Sequence, residues 1–547
     1  MHTRFPRIQA LLLLLALMAI RTEAESDLTL RRSFTQNAST APGQSLRLDA
    51  SSAGITVTGT SEEEIAIEVI VEVSGGTEAL AEDFYSKVSL SMDPSDEGFR
   101  ARLDLPEEKE EEKPPSAGFL RRMFYGETDQ SDLSISTTMT IQLPSQYSLD
   151  LRNSFGDISV SGMDGDLAID NSSGDISIES SSGSLELGND YSTVRVIDFE
   201  GPVGVQGNSS DVTLTRVRGA ATIRTSYRPV RLTDLTGTVE VEALNGPVVV
   251  RDVEGNCVIT GSYQPVEVEG VTGDLRVSSQ SGGVRLVDVG GAAEVESSYR
   301  AIHVERVKGD VRVTGNNSDV TVRDTEADVM IRTSYRPVSV EQVVGRVDVD
   351  NTSGAVDLRS VGAARIVNSY RAIKAEDVKG RLKVMGSSSE VTIRGVGGDA
   401  DIETSYRPII VEDAGGNLRI NGGSSSVMVE SVQGDLHVTN SFKFVIVKGV
   451  AGSVEIRGNN SPVEVSQVSG FVEGQRIDLS TTGKPITLSL PADADVQGIL
   501  KTRRGSIRSD FSVEPDDDDE REARIKLGNG AAWVELETDQ DITLLRE

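Results

Sequence analysis

The sequence predicts an all-β protein: a single long parallel β-solenoid of about 18 residues per coil, with N- and C-terminal caps. Three observations carry that expectation. An 18-residue unit recurs, apolar residues inside it alternate with the period of a strand, and a glycine falls at one fixed phase. Eighteen units tile residues 153 to 475, and only the unit from Asn351 is one residue short. A fixed period of this size decides architecture before any local assignment.

One unit shows the logic. Thr225 to Glu242 reads TSYRPVRLTDLTGTVEVE, with apolar residues at Val230, Leu232, Leu235, Val239 and Val241. The pairs Val230/Leu232 and Val239/Val241 have the spacing of half-buried strands, and turn-forming residues border them. The thirteenth position is glycine in nearly every unit, as at Gly165, Gly183, Gly219, Gly237, Gly255, Gly309, Gly345 and Gly434. A turn that needs positive φ takes glycine without steric cost. Ala327 breaks the rule, which predicts an altered or strained turn there. A propeller blade needs about forty residues and four strands, so one solenoid coil suits this unit better. A lone coil buries too little to stand alone, and stacking supplies the continuous core.

In chain order, residues 1–24 read as a signal peptide. Arg4 and Arg7 precede the apolar run Ala10 to Ile20, and Thr22-Glu23-Ala24 offers a cleavage site. That run is too short for a membrane span, and no later stretch predicts a transmembrane helix in the mature chain. Residues 25–152 predict a β-rich N-terminal cap. It has strands at Leu46–Leu48, Ile55–Val57 and Ile65–Val73, and a helix over Glu78–Val88. An acidic loop spans 106–131; it contains Glu107 to Pro115 and the segment Gly118 to Tyr125, expected to pack on the end of the solenoid. Residues 476–547 continue as β-structure and a cap, with strands at Ile486–Leu490, Ile507–Phe511, Arg524–Leu527 and Trp533–Leu536 and with Trp533 packed inside.

The formal charge of −32 argues against nucleic acid as a partner, because phosphate binding needs a basic surface. An acidic surface keeps a long rod soluble and discourages lateral association. The single cysteine, Cys257, falls at an inward position, so it predicts a buried thiol and excludes an intrachain disulfide. No cofactor and no metal are expected. The repeats lack the Gly-Gly-x-Gly-x-Asp turn of calcium rolls, and Asp516 to Glu520 lacks calcium-loop spacing. His303 and His437 lie about seven coils apart, roughly 34 Å, and share no site. No acidic or basic cluster breaks the repeat, so catalysis is not expected.

A second period lies over the first. Tyr191, Tyr227, Tyr263, Tyr299, Tyr335, Tyr370, Tyr406 and Phe442 recur once every second coil. The candidate binding residues are Tyr227, Arg228, Tyr263, Tyr299, Arg300, Tyr335, Arg336, Tyr370, Arg371, Tyr406 and Arg407. Intervening coils carry small polar residues, as at Asn208-Ser209-Ser210 and Ser387-Ser388-Ser389. The plainer expectation is a structural ladder, with rings covering a corner of the core and arginines offsetting acidic neighbours. The sharper one is a track for an extended polymer, since aromatic faces and guanidinium donors suit sugars or peptide strands.

The segments Gly156 to Val160 (GDISV), Gly174 to Ile178 (GDISI), Thr482 to Pro491 (TGKPITLSLP) and Arg504 to Ile507 (RGSI) resemble the bacterial adhesin-like family of domain of unknown function 4097. The resemblance implies an exported β-solenoid in or on the envelope and supplies no catalytic residues. The expected role is therefore a non-catalytic rod in the periplasm, on the cell surface or outside the cell. It presents the Tyr-Arg ladder to an envelope polysaccharide or a surface protein. The alternatives are a carbohydrate-processing β-helix enzyme and an envelope-stress or signalling scaffold.

Overall fold

Alternating valine, isoleucine and leucine form strands that bury one face, and each coil contributes two such strands to a parallel β-solenoid of about 18 residues per turn. A computed structural model describes residues 29–41, 43–75, 77–106, 134–515 and 521–547. The signal segment 1–24, the stretches 107–115 and 118–125 of the acidic loop, and Asp516 to Glu520 lie outside the described residues. Forty-nine strands and one helix are present among the described residues. The chain divides into two compact units, residues 1–254 and 255–547.

The first unit begins with antiparallel strands. Glu64–Ser74 pairs with Thr29–Ser39 on one side and Ser134–Pro144 on the other. The helix Glu78–Lys87 starts at Thr77, whose side chain accepts from the Leu80 N–H, and it buries Ala81, Phe84 and Tyr85. The Tyr85 hydroxyl donates to the Leu30 carbonyl at 2.6 Å, which ties the helix to the sheet. Parallel stacking starts at Ser45–Ala50, which pairs with Ser148–Phe155 as Leu46↔Leu149 and Leu48↔Leu151. From there each residue faces the one eighteen later, for example Leu187↔Val205 and Leu214↔Leu232.

The second unit repeats that register from Ile259↔Val277 to Ile420↔Val438. The short coil is absorbed at one corner. The pairing offset changes from eighteen at Val343↔Val361 to seventeen at Arg346↔Ala363, and the strands Val338–Asn351 and Val356–Asn368 run unbroken through it. Near the end the sheet order departs from the sequence order. Ala532–Thr538 lies between Arg476–Thr482 and Val496–Thr502, parallel to both. Trp533 is half-buried on the outer face there, while Ala532 and Val534 point into the core. Cys257 is fully buried, and burial pushes its thiol up to about 12.

The corner glycines answer to space more than to φ. Gly183, Gly201, Gly219, Gly237 and Gly255 have positive φ, but Gly309, Gly345 and Gly434 do not. What they share is contact with the coil below. A Cβ on Gly309 meets the Gly291 carbonyl at 2.6 Å, and one on Gly201 meets the Gly183 oxygen at 1.8 Å. Ala327 sits outside the left-handed region, so its turn is not strained in φ. The residue that is left-handed in every repeat is the tenth, for example Ser180, Asp198, Arg216, Asp252 and Gln342.

The aspartate after the corner glycine explains the Gly-Asp-Ile pattern. Its carboxylate accepts the N–H of the matching residue one coil on: Asp274 Oδ1 from Ala292 at 2.8 Å and Asp435 Oδ1 from Ser453 at 2.8 Å. Asn256 and Asn417 do the same with their amide oxygens, at 2.9 Å each. At Asp166 the Ser184 hydroxyl and then the Ser184 N–H hold the carboxyl below the usual range.

Two predictions follow from this packing. Gly201→Ala places a methyl against a backbone oxygen at an unfavourable φ and is expected to cost about 1–3 kcal/mol in urea unfolding, whereas Ala327→Gly stays within about 1 kcal/mol. Because the Asp166 carboxyl titrates lower folded than unfolded, its contribution is complete above the ordinary aspartate value of about 3.9 and is lost as pH falls through the folded value. Urea midpoints are expected to hold steady from neutral pH to about 5 and to fall below about 4. Asp166→Asn, which keeps the acceptor oxygen, is expected to soften that fall.

Candidate functional site

The corner before the first strand of each coil has two alternating forms. In the coil from Gly315, Ser318 tucks inward and its hydroxyl donates to the Ser297 carbonyl at 3.1 Å. In the next coil the Thr333 hydroxyl donates to the Ser318 carbonyl at 3.3 Å, and Tyr335 and Arg336 turn outward. Ser389 and Thr404 repeat the arrangement, donating to Asn368 O at 3.1 Å and Ser389 O at 3.0 Å. Asn351 Nδ2 completes it by donating to the Arg336 carbonyl at 2.9 Å. The 36-residue period is thus a two-coil cycle of tucked and projecting corners.

Five of the projecting corners, those of Tyr227, Tyr299, Tyr335, Tyr406 and Phe442, are strained. Arg336 N–H bonds back to the Ser334 carbonyl at 2.9 Å, and Tyr335 between them has φ of 67°. Tyr227 and Phe442 form the same three-residue turn, at φ of 63° and 62°. A γ-turn with positive central φ is rare and strained, and an aromatic residue at its apex is unusual. Tyr299 and Tyr406 share the left-handed backbone. In the tucked coils the same register position holds Asn317 and Asn460, a residue type that tolerates this conformation.

The rings do not cover the core, which corrects the plainer expectation. Exposure is 61% at Tyr263, 64% at Tyr299, 68% at Tyr335, 63% at Tyr370 and 74% at Tyr406. In the first unit Tyr191 and Tyr227 are equally exposed, as is Phe155, which falls one period before Tyr191. Successive rings in a column lie two coils apart, about 9.6 Å, beyond the range of ring stacking. The only aromatic pair in contact among the described residues is Phe84–Tyr85, which meet edge to face.

The arginines do not offset acidic neighbours either. Elsewhere in the second unit guanidiniums pair with carboxylates between coils, as in Arg306–Asp288, Arg323–Glu341 and Arg394–Glu412. Arg300, Arg336, Arg371 and Arg407 form no ion pair among the described residues, nor does Arg228 in the first unit. Their surroundings explain it. The twelve four-residue corners that start at Gly261 and end with Gly458–Ser461 contain no Asp or Glu, but carry Arg300, Arg336, Arg371, Arg407 and Lys443. In a chain with 86 acidic residues, that stripe stands apart. The signal was present in the sequence, in residues chosen by register rather than by adjacency.

The two histidines are not brought together. His303 pairs with Glu305 at 3.2 Å and His437 with Glu455 at 3.0 Å, on separate strands. No group of three or more His, Cys, Asp or Glu side chains among the described residues is placed to hold a metal. In the first unit a groove of about 590 Å³ runs along the outer face of the second strands, lined by Asp150, Asp170, Glu186, Arg224 and Glu242 among others. Neither Tyr191 nor Tyr227 lines it. No helix among the described residues is long and apolar enough to cross a membrane.

Coils joined in parallel register, with a column of exposed aromatics on one corner, define a parallel β-solenoid with a patterned surface edge. The chain belongs to the Toastrack DUF4097 family, whose model matches residues 43–544. Two solved structures are similar at low identity. One is described as "a putative cell adhesion protein" from Clostridium sporogenes, at 7% identity and a TM-score of 0.13, with 94% of this chain and 100% of that one covered. The other, "a putative adhesin" from Parabacteroides merdae, is 7% identical with a TM-score of 0.12, covering 68% of this chain and 95% of that one. A comparison with curated proteins gives no match.

The strain argument yields a stability prediction. Tyr299→Asn, Tyr335→Asn and Tyr406→Asn place at each apex the residue type that the tucked coils already use. The triple variant is expected to be as stable as the parent or more so, by up to about 1 kcal/mol per site, in urea unfolding. A loss of about 2 kcal/mol or more per site would show that the rings hold the fold.

Proposed function

We propose that this chain is an exported, non-catalytic binding protein of the cell envelope that presents its Tyr-Arg edge to a repetitive ligand. The observation that carries the proposal is the column of exposed aromatic rings, of which Tyr227, Tyr299, Tyr335, Tyr406 and Phe442 sit on left-handed backbone that Asn245, Asn317 and Asn460 adopt in intervening coils at less cost. Strain of this kind persists when the surrounding structure enforces it, and it clusters where ligands are clamped. Rings and guanidiniums repeated at constant spacing suit a partner that repeats as well: an envelope polysaccharide, or a surface protein offering an extended strand. Family membership and the N-terminal segment with signal-peptide character support export to the periplasm, the cell surface or the medium.

The test is binding of the full chain to purified envelope polysaccharides and surface-protein fractions, with the Tyr299→Asn/Tyr335→Asn/Tyr406→Asn variant alongside. Each ring lost removes roughly 1 kcal/mol of contact, so the variant is expected to bind about a hundredfold more weakly with unchanged circular dichroism. Equal binding by both proteins overturns the proposal.

A further inference from the structure

Resting on that proposal, we infer that the edge of the second unit takes a linear, anionic, β-1,4-linked glycan carrying one carboxylate per disaccharide. The argument is one of matching periods and charges. Each projecting corner offers one exposed ring and, at Tyr299, Tyr335, Tyr370 and Tyr406, one unpaired guanidinium from the next residue. Successive rungs are two coils apart, about 9.6 Å. An extended β-1,4-linked chain turns over at each sugar and repeats with each disaccharide, which spans nearly the length of two coils. Every second sugar therefore presents the same face to the same kind of ring. A carboxylate on one sugar of each pair then meets one arginine per rung, and guanidinium suits a carboxylate through its paired donors.

Charge decides between this ligand and its neutral counterpart. The stripe from Gly261 to Ser461 is free of carboxylates in all twelve corners, so an anionic chain lying along it meets no like charge within the corner. The nearest acids are Asp319 and Glu390 on one flank and Glu296, Asp350 and Glu403 on the other. They border the track and confine an anion to its middle. The corners between rungs have Ser281, Asn317, Ser353, Ser388 and Ser424 at the ring position, which leaves room and hydrogen-bonding groups beneath the intervening sugar. A polynucleotide fits poorly. Its phosphates recur about every 3.4 Å along a strand, so most would fall between arginines in a protein that repels them overall.

The experiment uses the full chain and three probes of matched length. These are peptide-free oligomers of β-1,4-linked N-acetylglucosamine–N-acetylmuramic acid, chito-oligosaccharides, and a single-stranded oligonucleotide. The first carries one lactyl carboxylate per disaccharide, and the second has the same backbone without charge. Arg300→Gln, Arg336→Gln, Arg371→Gln and Arg407→Gln are combined in one variant, and the three Tyr→Asn changes in another. The expected result is that the anionic glycan binds at least about tenfold more tightly than the neutral one, an advantage that falls with salt and disappears in the arginine variant. Affinity is also expected to climb as the oligomer lengthens to span successive rungs. Equal affinity for both glycans, lost only in the tyrosine variant, overturns the anionic assignment and leaves the track in place. Glycan binding that survives the tyrosine variant overturns the track itself. Oligonucleotide binding as tight as that of the anionic glycan, or no glycan binding at all, overturns the inference; other ligands of the edge then remain to the broader screen.

Discussion

The parallel backbone pairing of each residue with the one eighteen later is the constraint on which the rest of the structure depends. Strands about 4.8 Å apart in perfect register place every side chain directly above its counterpart, so the sequence is read as columns. Inward columns must be aliphatic and of nearly constant volume, as at Ile259, Val277, Val295, Val313 and Ile331. The column of corner glycines must be small, because the preceding coil's carbonyl already fills the space a Cβ would take. Where a polar group falls in a buried column, it has to bond to the coil above or below. Ser318, Thr333 and Asn351 at the corners do so.

The same constraint turns outward residues into arrays. A charge placed in one coil finds its partner in the neighbouring coil of the same column, which is why Arg306 meets Asp288 and Arg394 meets Glu412. Such exposed pairs stabilise little individually. Their regularity matters more for what it leaves out: the four corner residues ahead of the first strand in the second unit. Removing all carboxylates from twelve successive corners does nothing for the backbone ladder, and the tucked corners show that serine and asparagine satisfy it.

Much of this was legible in the sequence because a period is a global signal that local noise does not erase. The parallel solenoid, the inward Cys257 and the two-coil aromatic period all follow from counting. Three things did not follow. The left-handed residue at the tenth position escapes notice because Asp, Ser, Arg, Gln and Gly share it, so no single residue type marks it. The exposure of the rings escapes because an aromatic residue in a β-protein is ordinarily core, and the sequence marks neither the outward corner nor the positive φ found at Tyr299, Tyr335 and Tyr406. The placement of Ala532–Thr538 between two earlier strands escapes because repeat counting assumes that sheet order follows chain order.

The two-coil spacing itself bears on what the edge is for. Aromatics in every coil would stand about 4.8 Å apart, within the distance at which rings stack, and would cover one another's faces. Such a column would be self-satisfied, a structural spine like the aliphatic columns inside. Skipping one coil forfeits that stacking and leaves each ring largely exposed to solvent, at Tyr299, Tyr335 and Tyr406 on left-handed backbone that costs energy to hold. The intervening serine or asparagine then forms a polar floor between rungs. A ladder selected for stability would have closed the gap; this one keeps it open at the width of two strands.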